Sequence, residues 1–352
     1  MHIYIHIPFC TSKCPYCAFG SHTDKFSLVK KYFQALHFEI KDFLEKNSGE
    51  ISTLFIGGGT PSSVNSHFYA EIFNLLKPHF SSQYEATTEA NPNSATLAWL
   101  EAIREFGVNR VSFGAQSFNE QKLKFLGRNH SAKDTFNAVK NAKIAGFDNI
   151  NIDLIYSTKF DTKAMLEFEL ENIAKLSVPH ISAYSLTLEE NTPFSGKKSY
   201  KKDSIRLDEF LFSHLLKLGF NQYEISNFSK NSFLCKHNLA YWEQKNYAGF
   251  GAYAVGFKDC ARFYSPKSVE AYIKNPLLKT RESIDKNALR FEHIFLGARC
   301  KIGINAKFLN QNELKNAQTL AQNGKLKLEN SIFYNPNFAL ADEIALFITS
   351  QI

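Results

Sequence analysis

The 352-residue sequence contains no apolar run of 18 residues or more, the length a membrane-crossing helix needs, and no membrane span is expected. It has no internal repeat and no low-complexity tract. The opening residues, MHIYIHIPF, lack a basic stretch, a long apolar core and a small-residue cleavage site, and read as a strand rather than an export leader. Cysteine is scarce: there are 6, and Cys10, Cys14 and Cys17 account for half of them. That clustering does not resemble a disulfide framework, so a reducing, cytoplasmic setting is expected. Charge is not concentrated either. The net value is +7, the lysines are scattered, and the densest group, GKKSYKK at 196–202, reads as a solvated basic loop. No nucleic-acid partner is expected.

What remains is an ordinary globular composition, 44% hydrophobic and 21% charged, long enough for one large domain and a smaller one. The first half alternates between two periodicities. Strand-like runs occur at 3–7, 52–59, 84–90, 109–114, 149–156 and 180–186. Helical patterns follow them at 24–46, 67–79, 94–106, 119–126 with 132–145, and 162–176. In the first helical pattern Phe26, Val29, Phe33, Leu36, Ile40 and Phe43 recur at helical spacing, and Gly107 and Gly146 close two of the others. Six strand-then-helix units predict a parallel sheet, since each crossover returns along a helix. Six are too few for a closed eight-stranded barrel, which leaves an open partial barrel or a doubly wound sheet. In both, ligands bind at the carboxyl ends of the strands. The cysteines, GGGTP at 57–61, Glu89, Gln116 and Asp153 all fall there. Beyond about residue 195 the pattern is less regular. GFNQYEISNF predicts a strand, and 305–352 predict short helices, a small hairpin at KLKLENSIFYNP and a terminal helix, in the manner of a winged-helix module.

Three chemistries suit the cysteine run. Cys14-Pro15-Tyr16-Cys17 is a dithiol motif also found in glutaredoxins, but this reading leaves Cys10 idle. Zinc wants four ligands, usually in two pairs, and the other cysteines are distant singles, with His6 and His22 as the only nearby helpers. An iron–sulfur cluster is held by soft thiolates, normally four. Three would leave one iron open to an outside ligand.

The C-x3-C-x2-C spacing resembles that of the radical S-adenosylmethionine (SAM) superfamily. The resemblance implies a partial (β/α)6 barrel, a 4Fe–4S cluster on Cys10, Cys14 and Cys17, and SAM chelated to the open iron. It further implies SAM contacts from Tyr4, Tyr16, Gly58, Gly59, Thr60, Glu89, Gln116, Arg128 and Asp153. A carboxylate such as Glu89 suits ribose hydroxyls, and Arg128 suits the SAM carboxylate. The segments YIHIPFC, CPYCAFG, GGGTPS, SFGAQSF, NIDLIY and ISAYSLTLEENTPF are similar to the oxygen-independent coproporphyrinogen III oxidase group over nearly the whole chain. The decarboxylating members of that group carry a fourth cysteine two residues after the third. Phe19 stands at that position here.

The other branch of the group, the heme chaperones, is marked by H-N-x-x-Y-W, matched by CKHNLAYW at 235–242. The resemblance implies heme binding through His237, with Cys235 as a second or alternative iron ligand and Tyr241 and Trp242 as flat faces for the macrocycle. Val255 and Gly256 fall where the group often has a histidine, so no heme ligand comes from there. The expected organisation is a radical SAM core over 1–200, a barrel extension with the heme motif over 201–290, and a C-terminal module over 291–352. The expected function is a heme carrier that passes heme to an acceptor such as a respiratory hemoprotein, with a low-potential electron donor if the cluster cycles. The alternative is a radical SAM coproporphyrinogen III decarboxylase.

Overall fold

The computed structural model describes residues 1–231 and 233–350. Strands β1 (His2–Ile7), β2 (Ile51–Gly58), β3 (Phe80–Ala90), β4 (Arg110–Gln116), β5 (Asn149–Tyr156) and β6 (His180–Ser185) lie side by side in chain order, each pair parallel. The crossovers carry α1 (Val29–Lys46), α2 (His67–Leu76), α3 (Leu97–Phe106), α4 (Glu120–Phe125), α5 (Ala132–Ile144) and α6 (Lys163–Leu176). Of the two architectures that six units allow, this is the partial (β/α)6 barrel that the superfamily resemblance implies.

Local chemistry sets the helix ends. The Thr96, Asn119 and Thr162 side chains accept the N–H three residues on, and Ser131 with Asp134 forms a reciprocal capping box. The first helical pattern yields an α-helix only from Val29, because Phe26–Leu28 winds as a 3-10 turn. The inward faces of the helices and the strands share one core, with Ile3, Ile5, Leu36, Ile56, Val111 and Ile152 essentially unexposed.

Both edges of the parallel sheet are extended. After α7 (Ile205–Lys217) come β7 (Asn221–Gln222) and β8 (Asn227–Ser229), and β8 pairs antiparallel with β6. The single strand expected over 219–228 is thus broken by a hairpin, in which the Tyr223 N–H donates to the Asn227 carbonyl at 3.1 Å. Then α8 (Lys236–Trp242) precedes β9 (Tyr247–Phe250), which pairs parallel with β1 on its other side. Strands β10 (Val255–Lys258) and β11 (Ala261–Tyr264), helix α9 (Val269–Lys274) and β12 (Thr280–Ser283) follow, completing a 12-stranded sheet. The chain ends in α10 (Lys286–Ala298), β13 (Ile304–Asn305), α11 (Gln311–Gln322), β14 (Lys327–Glu329), β15 (Ile332–Tyr334) and α12 (Ala341–Thr349). These enclose a separate core that includes Ile294, Ile304, Phe333 and Ile344. The β14–β15 hairpin is the one expected at KLKLENSIFYNP, and helices and hairpin together form the winged-helix-like module. No helix of the described residues is long and apolar enough to cross a membrane.

Helix α8 packs across the amino-terminal ends of β2 and β3. Its N-cap residue, Cys235, makes no side-chain cap bond. Glu85 of β3 takes that role, with its carboxylate accepting the N–H of Lys236 at 3.0 Å and of His237 at 3.1 Å. A carboxylate at a helix N-terminus also meets the positive end of the helix dipole. Glu85→Ala strands these two donors, and we expect it to lower the unfolding free energy by about 2 kcal/mol, measured by denaturant titration, with Glu85→Gln costing less.

Candidate functional site

The loop after β1 is held by its own backbone. Cys10 N–H donates to His22 O at 3.1 Å and His22 N–H to Pro8 O at 2.9 Å, while Cys17 N–H closes a turn on Cys14 O at 3.1 Å. All six cysteines are free thiols. Cys10 is buried, with its sulfur 3.3 Å from Thr60 Oγ1. The Arg128 guanidinium donates to Cys14 Sγ at 3.4 Å. Burial pushes the Cys17 thiol up. Among the described residues no three His, Cys, Asp or Glu groups are gathered so as to hold a single metal ion.

The glycine turn at the end of β2 lies against this loop. Gly59 N–H donates to Ile7 O at 2.9 Å and Thr60 N–H to Phe9 O at 2.8 Å. A Cβ on Gly59 would stand 2.8 Å from the Ile7 and Phe9 carbonyl oxygens, and Gly58 has φ +106 with His6 pressed against it. Both positions therefore require glycine. Gly58 N–H donates to Glu89 Oε2 at 3.1 Å. Burial, reinforced by the Asp153 charge, raises the Glu89 carboxyl to about 8. Asp153 is raised as well, by burial, although Asn151 Nδ2 donates to it at 2.7 Å and Ser112 Oγ at 3.2 Å.

Gln116 reaches the site through an irregularity. The β4–β5 register shifts between Phe113 and Gln116, and Gln116 has φ 63. A bulge at a strand end re-aims the side chain that follows, and a non-glycine residue held in this region stores strain of the kind found at ligand sites.

These groups enclose a cavity of about 140 Å³ walled by the cysteines, the glycine turn, Glu89, Gln116, Arg128 and Asp153. A second cavity of about 330 Å³ shares Tyr16, Cys17, Glu89, Gln116 and Asp153 with it and continues down the barrel to Asn238. Of the nine residues expected around SAM, Tyr4 alone is absent from both walls. Its hydroxyl bonds His6 Nδ1 at 2.9 Å and its ring stacks on Phe55, so it reaches the site only through His6. Burial lowers the His6 imidazole to about 4. Sequence reasoning missed Asn91 and Gly114. Asn91 Oδ1 accepts from Arg128 Nη2 at 2.6 Å, and the Gly114 carbonyl accepts from the same nitrogen at 2.8 Å. Asn91 lies two residues after Glu89, and this proximity was its only sequence signal. With the Cys14 contact, Arg128 keeps Nε–H and one Nη1–H for a ligand.

The radical SAM superfamily model matches residues 4–168. Heme chaperone HemW of Lactococcus lactis is 33% identical over 315 residues, 86% of this chain and 82% of its own. The Bacillus subtilis protein of that name is 34% identical over 322 residues, 86% and 84%. That of Escherichia coli is 36% identical over 261 residues, 72% and 69%. This chain belongs to the HemW family of radical SAM proteins. Among solved structures, Escherichia coli coproporphyrinogen III oxidase (HemN), a radical SAM enzyme, superposes with TM-score 0.82 at 20% identity, covering 100% of this chain and 90% of that one, which shows the shared fold.

Superfamily membership implies SAM and a 4Fe–4S cluster. The donor set of this site fits both: three free thiols on one loop for iron, and beside them backbone N–H groups, two carboxyls and a guanidinium with spare donors.

The residues expected to bind heme lie elsewhere. The structure places His237 in the interior, 0% exposed. Its Nδ1 bonds Thr53 Oγ1 at 2.7 Å, its Nε2 bonds Tyr241 OH at 2.8 Å, and burial lowers its pKa to about 3. Both nitrogens of the imidazole thus hold side-chain partners, one from β2 and one from the same helix. Cys235 is also fully buried, its thiol raised to about 12 by burial. Tyr241 spends its hydroxyl on His237. Trp242 lines the cavity of about 680 Å³ outside the barrel, and Tyr241 lines a smaller one of about 110 Å³. The motif lies at the lower end of this HemW-family barrel.

Glu89 gives a pH test. Its carboxyl keeps its proton in the folded chain up to about 8, whereas an unfolded Glu ionises near 4.3. The folded state therefore holds the extra proton, and this group makes stability fall as pH rises between those values. Glu89→Gln should remove that slope and raise the stability of the ligand-free protein at pH 8 by about 1 kcal/mol, roughly 2 °C in melting temperature, while weakening SAM binding measured by calorimetry.

Proposed function

We propose that this chain is a heme chaperone that carries a SAM-chelated 4Fe–4S cluster and passes heme to an acceptor protein. The observation that supports the reading best is the similarity to proteins named heme chaperone HemW across more than 80% of both lengths. Phe19 adds to it. It is 67% exposed at the rim of the site, where the decarboxylating branch carries a cysteine. In this reading residues 1–200 form the radical SAM core, 201–290 the barrel extension and 291–352 a separate module, and the protein works in the cytoplasm.

Cys10, Cys14 and Cys17 hold the cluster. The Gly58–Gly59 backbone and Thr60 line the methionine end of SAM, Arg128 meets its carboxylate, and Glu89 and Asp153 accept from hydroxyl and amino groups. Gln116 closes the side wall, Tyr16 covers the cysteine turn and excludes water, and Tyr4 orients His6 behind the glycines. When bound, the cluster and SAM supply one-electron chemistry. Until then Arg128 holds Cys14 in place through its guanidinium, and Glu89 keeps its proton near neutral pH, so the pocket accepts a sulfonium cation without two bare carboxylates facing each other.

A second reading, oxidative decarboxylation of coproporphyrinogen III, draws on the HemN-like fold over the full chain. Anaerobically reconstituted protein should take up heme with a Soret band and leave coproporphyrinogen III unchanged in the presence of SAM and reductant. Formation of protoporphyrinogen would establish the second reading instead. Cys14→Ser should abolish the brown cluster absorbance; a retained cluster would mean other ligands hold it.

A further inference from the structure

The lower half of the barrel lumen holds a charge that the cofactor pocket does not use. Arg110 opens β4, is 2% exposed, and lines the cavity of about 330 Å³ that continues from the cysteine loop to Asn238. Its Nε is buried without a hydrogen-bond partner, and the side chain forms no ion pair among the described residues. A guanidinium does not lose its proton in a protein, so the cation is present whatever surrounds it.

The neighbouring strands repeat the pattern. Thr87 on β3 and Asn149 on β5 are the register partners of Arg110, and Thr87 Oγ1 and Asn149 Oδ1 are likewise buried without partners. Register partners in a pleated sheet turn their side chains to the same face. One row of the inner wall therefore leaves a polar atom unsatisfied on each of three adjacent strands, where buried polar atoms are ordinarily paired.

The carboxylates of this wall are already committed. Glu85 accepts the Lys236 and His237 N–H groups at the start of α8, and Asp153 accepts from Asn151 and Ser112. Asn238 of α8 lines the same cavity and adds an amide with two N–H donors. A brace for the fold does not need such an arrangement. Burying a charge without a partner is costly, and an apolar side chain of similar volume serves packing better. A fork of N–H donors in a polar cavity matches a carboxylate, which takes two parallel bonds from it.

We propose that Arg110, together with Asn238, binds the carboxylate of a ligand in the barrel lumen. Two kinds of ligand bring that group: a porphyrin, through a propionate arm, and a small free carboxylic acid. The first rests on the heme-carrier reading and the second does not. Arg128 lines only the upper cavity, so the two guanidiniums serve different ligands.

The test uses the full chain reconstituted anaerobically, with hemin, hemin dimethyl ester and butyrate as probes and Arg110→Gln as the variant. For a propionate arm, the unaltered chain binds hemin at least about tenfold more tightly than the ester, and Arg110→Gln removes the difference by losing hemin affinity alone. For a free acid, hemin and ester bind alike, and millimolar butyrate raises the melting temperature of the unaltered chain but not of Arg110→Gln. Unchanged cluster absorbance verifies folding. Where Arg110→Gln does not fold, Arg110→Lys keeps the charge and loses the fork, and should bind the carboxylate probe severalfold more weakly with the ester unaffected. The proposal is overturned if hemin and ester bind alike and butyrate shifts nothing, or if the preference for the carboxylate survives at full strength in the variant; the carrier reading then stands without it. If the unaltered chain takes up neither hemin nor its ester, the carrier reading falls and butyrate alone decides the Arg110 site.

Discussion

Two backbone hydrogen bonds carry the parallel ladder of β1 and β2 past the ends of both strands, from Gly59 to Ile7 and from Thr60 to Phe9. They clamp the cysteine loop to the glycine turn, and the rest of the upper face is arranged around that clamp. Gly59 has no side chain because two carbonyls occupy the space, and Thr60 reaches Cys10 because its backbone is already paired. Arg128 then ties Cys14 to Asn91 and to Gly114, so β1, β3 and β4 are joined through one guanidinium. A ligand entering this cavity finds its donors already placed, which lowers the ordering cost of binding.

Such placement has a cost in stability. Glu89 and Asp153 are buried carboxyls facing one cavity, and both have raised pKa values because burial penalises their charged forms. Gln116 adds a left-handed backbone at the end of β4. These features weaken the ligand-free fold and are concentrated where SAM is proposed to sit, the pattern expected when a site is shaped for its ligand rather than for packing.

The barrel was legible because alternation of periods along the chain survives without any tertiary information. The upper site was legible because its residues fall at strand ends, where the fold class places ligands. Strand position does not reveal that Tyr4 shares its hydroxyl with a neighbouring histidine. Nor does a histidine among aromatics, such as His237, show in sequence which side chains hold its nitrogens. Their partners, Thr53 on β2 and Tyr241 one helical turn on, are found only in three dimensions. The outer cavity beside Trp242 was not legible at all, since its walls come from segments between residues 242 and 332 that share no local pattern.

Helix α8 stands between the lower end of the barrel lumen and an outer cavity, with Asn238 lining the one and Trp242 the other. The six residues of β1, at about 3.3 Å each, set this partition roughly 20 Å from the cysteine loop. The two ends therefore have separate doorways: a visitor over Phe19 leaves the Trp242 side clear, and one beside Trp242 leaves the cysteines clear. Traffic at one end need not wait in a queue for the patch of surface used by the other.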